Sequence, residues 1–391
     1  MMKQSLSFPT LLLMISFAAG NAVLVSPALP AMATFFNVSS DATQQVVTFF
    51  LVGYALGQLI YGPLANRFGR KPALYMGIGL QIMSSLVCIL AGMLNNFYLL
   101  LLGRFALALG SGVGLKMTFT LLNECYEPKV VSQKVSYLML AFAITPGISM
   151  AVGGLLTQNF GWISCFYFSA IYGFILLALV TRLPETLAVL DLDAFKLKHL
   201  LHAYGEQFKN KKLLSGGLLM GLTTCFIYVF AAVAPFVAIN LLGMTSKSFG
   251  IASILPSIGY MLGAVSSAKL AKKHALSKTI FVGIAIVAVG IIFMAVGSYT
   301  ESPAMLSLFI PITIVYFGEA LIYPNASAIA MGSAIDKSHA SAVMNFLTIG
   351  LPTIAVLSFG MFTVTIMLLP ILLAVLCGLI ICVYKWITSI K

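Results

Sequence analysis

Charge is what this sequence has least of. Only 8% of its 391 residues are Asp, Glu, Lys or Arg, against about 25% in an ordinary soluble domain. A water-soluble fold of this length needs more polar surface than these residues supply. Acidic groups are the scarcest, 10 Asp and Glu against 22 Lys and Arg. Cysteine and histidine, 6 and 4 in number, form no pattern. Cys88, Cys165, Cys225, Cys377 and Cys382 lie in apolar runs and Cys125 near the end of one. They lack metal-ligand or disulfide-framework spacing and read as small hydrophobes. His199, His202, His274 and His339 fall between the runs or at their ends. No metal site is expected, and no enzyme: there is no nucleophile–base pair, Walker loop or metal cluster.

What the chain has instead is apolar length. Hydrophobic residues make up 60% of it, and runs of about 20 recur from end to end, the length that crosses a bilayer core of about 30 Å. Hydropathy and breakers place twelve spans near residues 7–36, 43–65, 72–92, 97–122, 131–156, 162–183, 213–242, 248–270, 278–297, 303–333, 340–360 and 362–384. The first is too long for the apolar region of a cleaved leader and carries Pro27 and Pro30. The net charge of +12 then acquires a meaning other than nucleic-acid binding. With the N-terminus inside, every Lys and Arg lies on the inner side except Lys247, outside, and Arg104 and Lys116, within the fourth span. The positive-inside rule thus predicts both termini in the cytoplasm and an even number of spans. The expected setting is the bacterial cytoplasmic (inner) membrane, crossed many times.

The longest polar stretch divides the chain. Residues 1–186 form a first six-helix half and 213–391 a second. Residues 187–212 form a linker whose Asp191, Asp193 and Glu206 alternate with Leu190, Phe195, Leu197 and Phe208. That mixture predicts an amphipathic helix on the cytoplasmic face. Two helical halves with a site between them is a common transporter plan.

Between spans two and three the sequence reads Tyr61-Gly62-Pro63-Leu64-Ala65-Asn66-Arg67-Phe68-Gly69-Arg70-Lys71-Pro72. This closely resembles the loop signature of the major facilitator superfamily, glycine-x-leucine-alanine-aspartate-arginine-x-glycine-arginine-lysine. Gly62 and Gly69 suit a tight hairpin; Arg67, Arg70 and Lys71 can meet carboxylates or helix C-termini. The resemblance implies a loop that latches the two halves, with Asn66 standing where the family has aspartate. Leu102-Gly103-Arg104-Phe105, with Gly110, Gly112 and Gly114, is similar to the family's fourth-helix motif. Pro146, Gly147, Gly153 and Gly154 partly match the fifth-helix motif of its antiporters, although Ser149-Met150 replaces a glycine-proline pair. Leu183-Pro184-Glu185-Thr186, Ala234-Pro235-Phe236 and Tyr323-Pro324-Asn325-Ala326 extend the resemblance over nearly the whole chain, toward the Bcr/CflA-type drug:proton antiporters. The implied fold is an all-α membrane protein, twelve transmembrane helices in two six-helix halves.

Charges at membrane depth are expensive and are functional candidates by default. Glu319 in span ten is the one carboxylate expected at depth, and burial favours the protonated acid, which suits a reversible proton carrier. The resemblance adds Arg104 to the proton-coupling pair. Lys116, twelve residues on and about 18 Å along the same helix, either snorkels to the interface or faces an anionic substrate. Glu124 is expected at the interface. Span one lacks the acid usual in this antiporter group; Asn21 is its polar residue at depth. Asn21, Tyr54, Lys116, Tyr228, Tyr316 and Asn325 are the cavity candidates, within a wider aromatic set that includes Tyr167 and Tyr260.

The expected function is proton-coupled export of small amphipathic molecules by alternating access, with a proton gradient as energy source and no cofactor. The expected partners are a small-molecule substrate and the lipid bilayer, with no nucleic acid, and the expected state is a monomer. The two buried cations also fit a dedicated carrier of one anionic metabolite or chelator. A membrane sensor or assembly partner that kept the fold without transport is the rival from another class.

Overall fold

The structure, a computed structural model, describes residues 6–187, 189–191, 205, 207–334 and 337–389. Among them there is no β-strand. The helical segments of the first half are α1 (Phe8–Phe36), α2 (Ser40–Phe68), α3 (Arg70–Met93), α4 (Phe97–Cys125), α5 (Pro128–Phe160) and α6 (Ser164–Val180). Those of the second are α7 (Lys211–Leu241), α8 (Ser246–Leu270), α9 (Leu276–Tyr299), α10 (Met305–Gly332), α11 (Lys337–Phe359) and α12 (Leu368–Ser389). Ten are long and apolar enough to cross a membrane; α6 and the apolar part of α11 are shorter. They coincide with the twelve expected spans. Most of the expected linker, residues 188, 192–204 and 206, lies outside the described residues.

Two differences from hydropathy have physical reasons. Helix α12 begins at Leu368, not near 362. Residues 361–367 are apolar enough to extend the run, but they form the turn after α11: hydropathy reads composition, not helicity. Helix α1 is interrupted by a 3-10 turn at Ser26–Ala28. Pro27 and Pro30 have no N–H to donate, so the hydrogen-bond ladder breaks there. The broken segment packs against α5, α7 and α8.

Without a hydrophobic drive between helices in lipid, close packing falls to small residues. A Cβ on Gly153 of α5 would stand 1.8 Å from the Leu24 carbonyl oxygen, and one on Gly53 of α2 would stand 2.1 Å from that of Phe105. Within each half such contacts join α2 to α4, α3 to α4, and α9 to α10. Between the halves the most extensive contacts run along two seams, α5 with α8 and α2 with α11. Gly154 abuts the Ser246 carbonyl, Gly250 abuts that of Met150, and Gly360 lies beside Gln44. All three contacts lie at the end of the bundle away from the α2–α3 loop. That far end is therefore closed, and the opposite, basic end carries the loop.

Candidate functional site in the second half

Helix α10 brings its carboxylate inward. Gly318 lets α10 close on Gly283 of α9, where a Cβ would stand 2.7 Å from the Gly283 carbonyl oxygen. The next residue, Glu319, faces the bundle and is 1% exposed. Its Oε2 is sealed from solvent and has no hydrogen-bond partner among the described residues. Four tyrosines lie within electrostatic range: Tyr228 of α7, Tyr260 of α8, and Tyr316 and Tyr323 of α10. Cys225 of α7 also lies near. Tyr316, one turn before Glu319, is buried, and its hydroxyl is unpartnered among the described residues. Tyr54 of α2 approaches Tyr228 and Tyr323 across the boundary between the halves.

Beside Tyr316 is a cavity of about 10 Å³, lined from both halves, a volume that admits about one water. Pro146, Gly147 and Met150 of α5 close one wall; Phe230, Ser253, Pro256, Ser257 and Tyr316 form the other. The Gly147 N–H donates to Ser257 Oγ at 2.9 Å, a hydrogen bond across the seam. Of the fifth-helix motif, Pro146 and Gly147 thus border this cavity, while Gly153 and Gly154 make the close contacts with Leu24 and Ser246.

The first half is arranged differently. Arg104 of α4 is 1% exposed. Its Nε donates to the Val46 carbonyl at 3.2 Å, Nη1 to that of Asn21 at 3.0 Å and Nη2 to that of Ala22 at 3.3 Å. The guanidinium also stacks 4.4 Å from the Phe50 ring centroid. Its electrostatic neighbours are Cys88 and Cys165, not a carboxylate. Arg104 therefore fastens α4 to α1 and α2, and it does not meet Glu319. The Asn21 amide is engaged too: Nδ2 donates to the Phe17 carbonyl, and Oδ1 accepts from the Ser169 hydroxyl at 2.6 Å. Asn325, expected in the cavity, donates to Ser267 Oγ at 2.8 Å and ties α10 to α8.

Lys116 is half-buried at the basic end. Its Cε lies 3.7 Å from where a Cβ of Gly62 would stand, and Arg70 is its charged neighbour. No side-chain hydrogen bond or ion pair involves Lys116 among the described residues.

The α2–α3 loop forms a separate cluster. Gly69 has φ +107°, open to glycine at little cost, and the chain reverses there. Arg70 donates from Nη1 to the Ala65 carbonyl and to Asn66 Oδ1, and from Nη2 to Glu124 Oε1 at 2.5 Å. Asn66 thus does accept an arginine hydrogen bond, and its carbonyl accepts from the Asp191 N–H. Arg67 lies 5.7 Å from the Phe68 ring centroid. Lys71 Nζ donates to the Thr181 carbonyl at 2.9 Å. Glu185 accepts from the Arg70 and Lys71 N–H groups, at 3.0 and 2.9 Å, and so caps α3. Partial burial works against its charge, but N–H groups of Leu187, Lys71, Arg70 and Thr186 outweigh it and lower the carboxyl's pKa from its ordinary value. The sequence located Glu124 and Glu185 but not these partners. No local signal points to them, since these partners lie 54 to 115 residues away in sequence.

Comparison with known proteins fits this architecture. Residues 11–357 match the family described as Major Facilitator Superfamily. The chain is 23% identical to the chloramphenicol resistance protein CraA of Acinetobacter baumannii, over 88% of this chain and 83% of that protein. It is 26% identical to multidrug resistance protein D of Escherichia coli (strain K12), over 78% of this chain and 75% of that one. In three dimensions it resembles the crystal structure of a D-xylose–proton symporter, with a TM-score of 0.78 at 15% identity over 95% and 96% of the two chains; that likeness speaks to fold alone. With the family matched across most of its length, this chain belongs to the Major Facilitator Superfamily and is a multi-pass membrane transporter.

Proposed function

We propose that the protein exports small amphipathic molecules in exchange for protons, by alternating access between its halves. The observation that carries this is Glu319: a fully buried carboxylate with an unpartnered oxygen. A structural carboxylate at this depth would have a cation or donors to satisfy it, and a proton is the ligand that satisfies it alone. The names of the relatives, chloramphenicol and multidrug resistance proteins, support amphipathic cargo. The charge distribution supports an orientation with the basic end and both termini in the cytoplasm. In that orientation the closed seams seal the outer side. Separation of α5 from α8 would break the Gly147–Ser257 hydrogen bond and open the Tyr316 region outward. A proton arriving from outside would bind Glu319 Oε2, and its release inside would complete the cycle. The half-buried Lys116, with no partner among the described residues, favours a second reading, a carrier for one anionic metabolite.

The test uses purified protein in liposomes with an imposed pH gradient and chloramphenicol as first probe. Wild type is expected to move the probe against its gradient, and Glu319→Gln to reduce driven flux to the level of empty liposomes. Driven flux that survives in Glu319→Gln would refute the proton role.

A further inference from the structure

We propose that the basic end of the second half holds an anionic phospholipid. Its phosphate sits among the lysines of the α8–α9 loop and the end of α12, and its acyl chains run along the lipid-facing sides of α8 and α9. This site does not depend on Glu319 or on the cargo.

The sequence crowds Lys269, Lys272, Lys273, His274 and Lys278 into ten residues, with no acid among them. The turn that carries them is compact. The N–H groups of Lys273 and His274 both donate to the Leu270 carbonyl at 2.9 Å, and that of Ala271 donates to the Ser267 carbonyl at 2.9 Å. The four lysines are exposed, and a short loop holds them close enough to repel one another. A fifth joins them from α12. The Tyr384 hydroxyl donates to the Ser277 carbonyl at 3.2 Å, which brings the exposed Lys385 to the same corner. None of the five has a side-chain hydrogen bond or ion pair among the described residues. Of the three acids after residue 212, Glu301 follows α9 at the far end, Glu319 is inside the bundle and Asp336 lies outside the described residues. The α2–α3 loop, at the matching place in the first half, is the contrast: Arg70 meets Glu124, and Lys71 meets the Thr181 carbonyl. The positive-inside rule accounts for the sign of the α8–α9 loop, but not for five cations gathered without an anion.

The surface beside the lysines identifies the anion as a lipid. Lys269 ends a stripe of α8 that includes Leu262 and Val265, 54% and 43% exposed. Lys278 begins a stripe of α9 that includes Phe281 and Val282, 60% and 44% exposed. Two residues apart is about 200° around a helix. Leu262 is therefore on the far side of α8 from Tyr260, which lies toward Glu319, and Phe281 on the far side of α9 from Gly283, which abuts α10. Both stripes thus face outward and not into the passage between the halves. The Phe281 and Tyr384 ring centroids are 6.2 Å apart, and Tyr384 and Trp386 supply the amphipathic rings that settle at headgroup depth. A phosphodiester at that depth meets lysines at its head and apolar side chains along its tails. A soluble anion would meet the lysines alone.

The experiment titrates purified full-length protein, in neutral detergent at pH 7.5, with dioleoylphosphatidylglycerol and reads retained lipid by native mass spectrometry. Dioleoylphosphatidylcholine, with the same chains and no net charge, and glycerol 1-phosphate, an anion without chains, are measured in parallel. Each lysine near an anionic headgroup contributes about fivefold in affinity. The combined variant Lys272→Gln, Lys273→Gln, Lys278→Gln should therefore bind phosphatidylglycerol about a hundredfold more weakly, with phosphatidylcholine unchanged. A control variant, Arg182→Gln, Lys211→Gln, Lys212→Gln, removes the same charge from the same end of the bundle but outside this corner. It should lose less than about fivefold, because screening limits its reach. Folding of each variant is checked by its elution profile. Equal retention of the two lipids by wild type, or undiminished phosphatidylglycerol binding by the loop variant, overturns the proposal. So does an equal loss in the control variant, which would make net charge the cause. Glycerol 1-phosphate binding as tightly as the lipid would overturn it in favour of a soluble anion.

Discussion

Arg104 of the first half and Glu319 of the second are buried charges held in opposite ways. In the first, Arg104 donates to carbonyls of Asn21, Ala22 and Val46, and Asn21 is engaged on both sides of its amide. In the second, Glu319 and Tyr316 each keep a sealed polar atom without a partner among the described residues. Burying a polar group unpaired costs about 1–3 kcal/mol, and more for a charge. A satisfied buried charge therefore reads as a fastener, and an unsatisfied carboxylate as a group kept ready for something that comes and goes. Depth alone does not separate the two, since Arg104 and Glu319 are equally buried.

The sharpest way to break this contrast is to remove one member of each pair. Glu319→Gln should end gradient-driven transport and leave the melting temperature in detergent unchanged or higher, because an amide is cheaper to bury than a charge. Arg104→Met should do the reverse in kind: three carbonyls lose their donor and Phe50 its cation, a loss of about 3 kcal/mol. It should appear as a large drop in melting temperature and in monodisperse yield. Arg104→Lys should recover little, since a point charge cannot reproduce the three-way fork. An Arg104→Met protein that melts normally but no longer couples would erase the distinction between the halves.

How much of this contrast could be read beforehand follows from range. Hydropathy and charge sidedness are sums over neighbouring residues, so the twelve spans emerged without tertiary information. Glu319 stood out because carboxylates at depth are rare. What the sequence did not contain was facing and pairing. The Arg104 acceptors belong to helices 58 to 83 residues away in sequence, and nothing local indicates that a motif arginine spends its donors on carbonyls. The aromatic set shows the same limit. Tyr228 and Tyr316 gather at Glu319, while Tyr167, of the same type and in an equally apolar run, is 53% exposed on the outer surface of the bundle. Lys116 was open between interface and cavity; only the helix packing that sets it against Gly62 places it at the basic end.

The halves also meet asymmetrically, closed at one end, and that closure can be tested at a single position. A Cβ on Gly154 would stand 2.3 Å from the Ser246 carbonyl oxygen, too close for any side chain unless α5 and α8 separate. Gly154→Val should therefore favour the state open at the far end. Single cysteines at Met150 and Ser257, which border the sealed cavity, should then react with a membrane-impermeant thiol reagent several-fold faster than in the parent. An unchanged rate would mean that the seam yields locally and is not the gate.

The smallest effect is expected at the α2–α3 cluster, where partners are satisfied but solvent is near. Glu185 is exposed enough that its cap on α3 contributes under about 1 kcal/mol after screening. Its carboxyl is lowered in the folded state by the N–H groups it accepts from, against the opposing effect of burial. That contribution is fully present above the ordinary value of 4.5 and is lost as pH falls through the lowered folded value. The melting temperatures of wild type and Glu185→Gln in detergent should thus differ by a small constant amount from pH 8 to pH 5 and converge below pH 4.5. A difference that persists undiminished at low pH would show that Glu185 acts through shape and not charge. The cluster would then hold α3 against α6 by packing alone, and its acid would have no more electrostatic role than Asn66 beside it.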